Sequence, residues 1–475
     1  KAVTDWRDPP RPYAIAHRGA SAWAQENTLR AFAVAADLGA DFWEIDIRTA
    51  ADRVMVVYHD PLTPSGRPVA DLTAAQLAAE CSVPTLDAVI ALAKARGTGI
   101  YADIKAADPV AVAHALNLAG IEMAILGAFD PAAVAALKAA GVGYPTAALV
   151  PLGADPFVHA AGADIIHLCW ERMQRPQDML TPEFLERARA TRQRIVLWHE
   201  EDPQRMKALR DLPILGICSN MPELVQPFRA PRAWPVKTVA HRGANSVAPE
   251  NTLPAATCAF AVGFDWVELD VRSSADAALV VIHDASLART TDGTGLVKDM
   301  AMADLRALDA GRWFDPHFAA THLPTLGEML AEARRWDRGI YIEIKQADPL
   351  AVLAEVQAAG MVDRCFFWGW DYRGLVTIKT ADPLARVMTR RKDFDRLDAC
   401  FAAFEPAIIE YDSTDDWSDM DTARHYGAAI MICYMGRDPA IIDRVIAARP
   451  DIVNIDDMFL FRRRMQAADF DTHGR

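Results

Sequence analysis

Ala16-His17-Arg18-Gly19-Ala20 returns later in the chain as Ala240-His241-Arg242-Gly243-Ala244. Glu26-Asn27-Thr28-Leu29 returns as Glu250-Asn251-Thr252-Leu253, Glu44-Ile45-Asp46 as Glu268-Leu269-Asp270, and His59-Asp60 as His283-Asp284. All four pairs are 224 positions apart, as from 17 to 241 and from 59 to 283. That period is far too long for a stacked solenoid repeat. A chain of 475 residues repeating in this way is two copies of a whole domain, not one large core. The copies are expected at 10–228 and 236–470, joined by a proline-rich connection from Pro227 to Pro235. From Asp103 to Glu343 the spacing widens to 240, so the second copy holds sixteen extra residues, most of them within 287–318.

Short apolar runs in the first copy fall at 13–17, 41–47, 100–104, 122–127, 144–150, 164–168, 194–198 and 214–218. Alanine-rich helical stretches separate most of them, such as 28–38, 108–118 and 131–139. Eight strand-like runs alternating with helices predict an α/β fold, a (β/α)₈ barrel in each copy. A doubly wound open sheet offers no reason for eight units. Functional groups are then expected where strands end, at the C-terminal mouth. Val54–Tyr58 follows the second strand too closely for a helical crossover and reads as a hairpin return. A turn near 50–53 sets position 49 opposite 54. That register brings His59 beside Glu44, and His283 beside Glu268.

Tyr341-Ile342-Glu343-Ile344-Lys345 and Tyr101-Ala102-Asp103-Ile104-Lys105 place a carboxylate and an ammonium on one face of a strand. Such charges are costly inside a fold unless something compensates them. Glu44 and Asp46 also share a face, and Asp103 joins them if both strands line one mouth. Three carboxylates with no His/Cys cluster suit a hard cation, Mg²⁺ or Ca²⁺. A salt-bridged polar layer is the plainer alternative, but the pattern is kept in both copies. His17 at a strand end and His59 from the hairpin suit acid–base work on a phosphoryl group, with Arg18 and Lys105 as countercharges. Glu26-Asn27-Thr28 reads as a helix start.

A net charge of −14 argues against broad nucleic-acid binding and says little about an individual site. The seven cysteines are scattered and odd in number, which points to inert core thiols. No stretch approaches the roughly 20 apolar residues of a membrane span, so no integral membrane segment is expected. No basic-then-apolar leader opens the chain, and the expected compartment is cytoplasmic, although the numbering starts at Lys1.

The ordered set His-Arg-Gly, Pro249-Glu250-Asn251-Thr252, Glu-x-Asp, His-Asp, Arg-Thr-Thr-x-Gly-x-Gly and Glu343-x-Lys345 resembles the glycerophosphodiester phosphodiesterase family, once per copy. The resemblance implies two tandem TIM (β/α)₈ barrels, a divalent metal, a small-molecule phosphodiester substrate, and hydrolysis of glycerophosphodiesters to glycerol 3-phosphate and an alcohol. It also implies that the substrate's own glycerol hydroxyl attacks phosphorus, giving a cyclic phosphate that water opens. The acid–base pair would be His241 and His283, and in the first copy His17 and His59. The metal ligands would be Glu268, Asp270 and Glu343, matched by Glu44, Asp46 and Asp103. Arg242, Lys345, Arg18 and Lys105 match phosphate-contacting positions.

The copies depart from the pattern differently. The first has Gln25 in place of proline, Asp103 in place of glutamate, and no Arg-Thr-Thr-x-Gly-x-Gly segment. It keeps the family's tryptophan near the seventh strand, Trp198, where the second copy reads Met431-Ile432-Cys433-Tyr434. Two other functions fit the same motifs. One is a phosphodiester synthase or transferase with a sugar acceptor, resembling the agrocinopine synthases. The other is one active barrel beside a binding or scaffold barrel.

Overall fold

The computed structural model describes residues 6–170 and 176–470, and the chain divides into two compact units between Gln226 and Pro227. The first unit has strands β1 (Tyr13–His17), β2 (Phe42–Thr49), β3 (Met55–Val57), β4 (Gly99–Ala106), β5 (Ala124–Ala128), β6 (Thr146–Val150), β7 (Ile165–Cys169), β8 (Arg194–Trp198) and β9 (Gly216–Ser219). Their order is β1-β9-β8-β7-β6-β5-β4-β2-β3, and a further β1–β2 pairing closes the ring. Eight strands are parallel, and β3 returns antiparallel on β2. The second unit repeats this with β10 (Lys237–Ala240), β11 (Trp266–Ser273), β12 (Leu279–Val281), β13 (Gly339–Gln346), β14 (Cys365–Gly369), β15 (Arg386–Arg390), β16 (Ile408–Asp412), β17 (Ala429–Tyr434) and β18 (Ile452–Ile455). Both units are therefore closed TIM-type barrels, as the eight apolar runs predicted.

Local sequence accounts for the alternation. Several helices open on Asp-Pro, at Asp108-Pro109, Asp130-Pro131, Asp202-Pro203, Asp348-Pro349 and Asp438-Pro439. In each, the aspartate side chain accepts a backbone N–H of the first turn, and proline takes a position whose N–H has no helical partner. Side chains fill the first barrel's interior, among them Ile15, Phe42, Tyr101, Ile125, Leu149, Val196 and Cys218. It is a packed core, with one buried polar pair, Tyr101 and His167, hydrogen-bonded at 2.6 Å.

One expectation shifts. The hairpin register is one residue from the predicted one, because Thr49 pairs with Met55 and Ser273 with Leu279. The turn is wider than expected, closing from Ala50 N–H to the Val54 carbonyl. His59 and His283 thus lie past the last paired residue and do not sit opposite Glu44 and Glu268. The Pro227–Pro235 connection packs in part on the second unit. Phe228 and Trp234 are buried in the second unit, with Phe228 against Phe264 and Trp234 against Phe461.

The segment before β13 and its counterpart before β4 each carry a small core of their own. One is Val280, Leu287, Val297, Leu305 and Leu323; the other is Val56, Val69, Leu72, Leu77 and Val83. The first copy's shorter segment is therefore folded. Among the described residues, none of the seven cysteines forms a disulfide, and no helix is long and apolar enough to cross a membrane.

Candidate active site

The parallel ladder assembles the acids. Asp270 on β11 pairs with Glu343 on β13, and Glu268 lies two residues before Asp270 on the same face. One oxygen from each of Glu268, Asp270 and Glu343 lies within 4.8 Å of the others, and the same holds for Glu44, Asp46 and Asp103. The shorter Asp103 still closes its cluster to that limit. Burial, then the neighbouring acids, pushes Glu268 and Glu44 well above the usual carboxylate range. Burial pushes Asp103 up to about 6 against the pull of Lys105. Glu268 Oε1 and Asp103 Oδ1 are buried with no hydrogen-bond partner. Converging buried carboxylates that repel one another and keep an unused oxygen fit a hard divalent cation.

Cations brace each cluster. Arg242 donates its backbone N–H to Glu268 Oε2 at 3.0 Å and Nη1 to Glu250 Oε1 at 2.9 Å, and its Nε lies 3.4 Å from Asp270 Oδ2. Arg18 repeats this with Glu44 at 2.9 Å, Glu26 at 3.0 Å and Asp46 at 3.3 Å. The arginines reach these positions at φ of 55° and 56°. The following glycines cannot be replaced without a clash. A Cβ on Gly243 would lie 2.7 Å from Ala255, and one on Gly19 2.7 Å from Ala31. Lys345 pairs with Glu343 and lies 3.4 Å from Asp270; Lys105 lies 2.6 Å from Asp103 and 3.4 Å from Asp46.

Glu-Asn-Thr is more than a helix start. Thr28 and Thr252 cap helices, as expected. Asn27 and Asn251, however, turn inward and donate to Asp46 and Asp270, each at 2.8 Å. Recurrence of this tripeptide at the same spacing as the histidines was the signal that could have placed it in the site.

The histidines are held differently. His241 donates Nδ1–H to Asp456 at 2.6 Å, which leaves Nε2 facing Glu268 Oε2 at 3.8 Å. Burial alone would raise Asp456, but the His241 hydrogen bond and charge, then Asn245, hold it low. His17 donates instead to the amide oxygen of Asn220 at 2.7 Å. Burial, then Arg18 and His199, drives His17 well below the ordinary imidazole value, which favours its uncharged form. Its ring stacks on His199 at 5.0 Å and meets the edge of Trp198 at 5.4 Å. The ladder puts Cys433 where the first barrel has Trp198, since Leu197 pairs with Ile217 and Ile432 with Val453. Asp456 and Asn220 escaped sequence reasoning. Only closure of the ring brings the residue after the last strand to the histidine after the first.

His283 gives Nδ1–H to Asp284 at 2.6 Å, and its carbonyl accepts from Arg272 at 2.8 Å. Arg289 clamps Asp284 at 2.7 and 3.0 Å and Glu250 at 3.0 and 2.7 Å. Its hydrogen bonds hold Asp284 well below the usual carboxylate range. A charge network thus runs from His283 through Asp284, Arg289, Glu250 and Arg242 to Asp270. In the first barrel His59 pairs with Asp60 at 2.7 Å and Arg48 holds its carbonyl, but among the described residues no arginine bridges Asp60 and Glu26 as Arg289 bridges Asp284 and Glu250. Asp60 is 64% exposed there against 29% for Asp284, and Glu26 40% against 14% for Glu250.

These features define a pair of TIM barrels, each with an acid cluster and an adjacent imidazole at the C-terminal mouth. The chain belongs to the glycerophosphoryl diester phosphodiesterase family, whose model matches residues 17–224 and again 241–456. A glycerophosphodiester phosphodiesterase of Bacillus subtilis is 37% identical over 134 residues, covering 26% of this chain and 45% of that protein. Another, from Caldanaerobacter subterraneus, is 44% identical over 107 residues, covering 22% and 44%. The chain spans about half the length of the curated relatives it matches. Among solved structures, a glycerophosphodiester phosphodiesterase of Agrobacterium tumefaciens is 37% identical, with a TM-score of 0.46 over 48% of this chain and 99% of that one. A phosphodiesterase of Oleispira antarctica, in complex with the product sn-glycerol-3-phosphate, is 25% identical, with a TM-score of 0.46 over 48% and 96%.

Proposed function

We propose that this chain hydrolyses glycerophosphodiesters to glycerol 3-phosphate and an alcohol, with the second barrel the principal catalyst. The observation that carries this is His241, fixed by Asp456 with its free nitrogen turned to the acid cluster. Family membership and the names of the relatives support the substrate class.

Glu268, Asp270 and Glu343 would hold a divalent cation, Mg²⁺ or Ca²⁺. Bound there, it supplies positive charge to a phosphoryl oxygen. Arg242 and Lys345 add to that charge from the protein side. His241 and His283 form the acid–base pair. One imidazole takes the proton of the substrate's glycerol hydroxyl as its oxygen attacks phosphorus. The other gives a proton to the departing alcohol oxygen, and a cyclic phosphate is left. Water then opens the ring with the two proton transfers reversed. Asp456 and Asp284 stabilise whichever ring is protonated. His17, His59, Arg18, Lys105, Glu44, Asp46 and Asp103 would play the matching parts in the first barrel, with Trp198 facing the organic group.

Release of glycerol 3-phosphate from glycerophosphodiesters, followed with and without chelator, tests this. Activity should vanish on chelation and return with Mg²⁺ or Ca²⁺. Turnover indifferent to chelator would overturn the proposal.

A further inference from the structure

The wall that runs on from Glu343 in the second barrel is not part of the repeat. Trp368 on β14 pairs with Glu343, and Arg390 on β15 pairs with Glu410 on β16. The same ladder positions in the first barrel hold Gly127, Leu149 and His167. Asn454 on β18 stands where the first barrel has Cys218, each beside the first strand of its ring. Three positions of this wall are thus polar or aromatic only in the second barrel, and at the fourth a carboxylate stands in place of an imidazole, all beside an acid cluster that both barrels keep.

The groups on this wall are set for a ligand. The Arg390 guanidinium lies 4.7 Å from the Trp368 ring centre and 4.3 Å from that of Trp370, and Asp393 anchors it at 3.1 Å. Lys392 adds a second cation, 3.3 Å from Asp412. Glu410 is buried and faces inward, where it interacts with Arg390, Asn454 and Glu343. Asn454 is 3% exposed, and its Oδ1 is buried with no hydrogen-bond partner. Trp370, at the rim, is 62% exposed.

We infer that this wall is the second barrel's subsite for the organic group beyond the phosphate, and that it takes a neutral polyhydroxy group in preference to a quaternary ammonium. The inference rests on the phosphodiesterase reading above. An aromatic pair beside an acid would suit a quaternary cation. Here Arg390 already occupies that place on both indoles. A trimethylammonium would meet its charge and that of Lys392, and it has no N–H or O–H to give to Asn454 Oδ1. Hydroxyl groups can accept from Arg390 and donate to Asn454. Glu410, buried beside Arg390 and Asn454, offers a further acceptor for a hydroxyl. A site whose buried polar groups need hydroxyl partners discriminates strongly against a group that lacks them.

The test uses the full chain carrying His17→Ala, so that the second barrel is read alone, with divalent cation present. Glycerophosphoinositol and glycerophosphocholine are offered in competition, and the ratio of kcat/KM is measured. The inositol ester should be favoured by about tenfold or more. Arg390→Leu, which installs the first barrel's own residue, and Glu410→Gln should each bring the ratio toward one. The loss should fall mainly on the inositol ester. Equal use of both esters, preference for the choline ester, or variants that lower both alike would overturn the subsite while leaving the phosphodiesterase reading intact. No turnover of either ester would sink that reading and this inference with it.

Discussion

His241 gives its ring proton to a carboxylate, Asp456, whereas His17 gives its own to an amide, Asn220, at nearly the same distance. That one exchange separates the two barrels more sharply than any change in their acids. Both clusters close to the same limit, and both are braced by the arginine after the histidine and the lysine two residues past the third acid. These parts belong to the closed ladder or lie against it, so the fold holds them. The supports that differ, Asp456 and Arg289, come from segments beyond the strands. An acid cluster suited to a cation is thus kept by the architecture. On the proposed acid–base reading a charged partner serves each imidazole, and among the described residues the second barrel alone has a clamped set.

The contrast is most exposed in the histidines themselves. His241→Ala should lower glycerophosphodiester turnover by about 10²–10⁴-fold, while His17→Ala should cost less than about twofold. Equal losses in a parallel assay would remove the asymmetry. Next comes the clamp. Arg289→Ala should lower kcat by about tenfold to a hundredfold, the range expected for losing charged hydrogen bonds. An unchanged kcat would show that Asp284 needs no anchor. The exchange can also be reversed. Asn220→Asp, placed in a His241→Ala background, should raise the residual turnover by about tenfold, since one pK unit of imidazolium stabilisation corresponds to a factor of ten. No gain would show that the first barrel is limited elsewhere.

The smallest effect is one the barrels should share. An acid whose folded pKa is raised destabilises the fold once pH passes its unfolded value, near 4. Asp103, at about 6, and the raised Glu44, Glu268 and Glu343 should therefore make the chelated protein lose stability from about pH 4 upward through 6. A divalent cation should restore it, widening the Tm gap between loaded and chelated protein by a few degrees at pH 7.5 relative to pH 5. A gap no larger at pH 7.5 would remove the carboxylates as its source.

Much of this was legible in the residues. The constant spacing marked two domains, the apolar runs marked eight strands, and alternation along β4 and β13 put the acids and lysines on the inner face. The hairpin argument for His59 failed by one residue, because turn width depends on backbone closure that no pattern of side chains reveals. Glu-Asn-Thr was read only for its cap, since a helix start explains the same residues and hides the inward turn of Asn27 and Asn251. Arg289 was visible as part of a motif, but its two carboxylate partners lie at Asp284 and Glu250, far apart in the chain.

Near neighbours in the chain carried the acids, the lysines and the His-Arg-Gly turns, because strand periodicity makes their relative placement a local matter. The partners of the histidines were set by closure of each ring, which carries residue 456 to 241 and residue 220 to 17. A pairing across more than two hundred positions leaves no local trace. For that reason two nearly identical motif sets turn out to support their imidazoles with different chemistry.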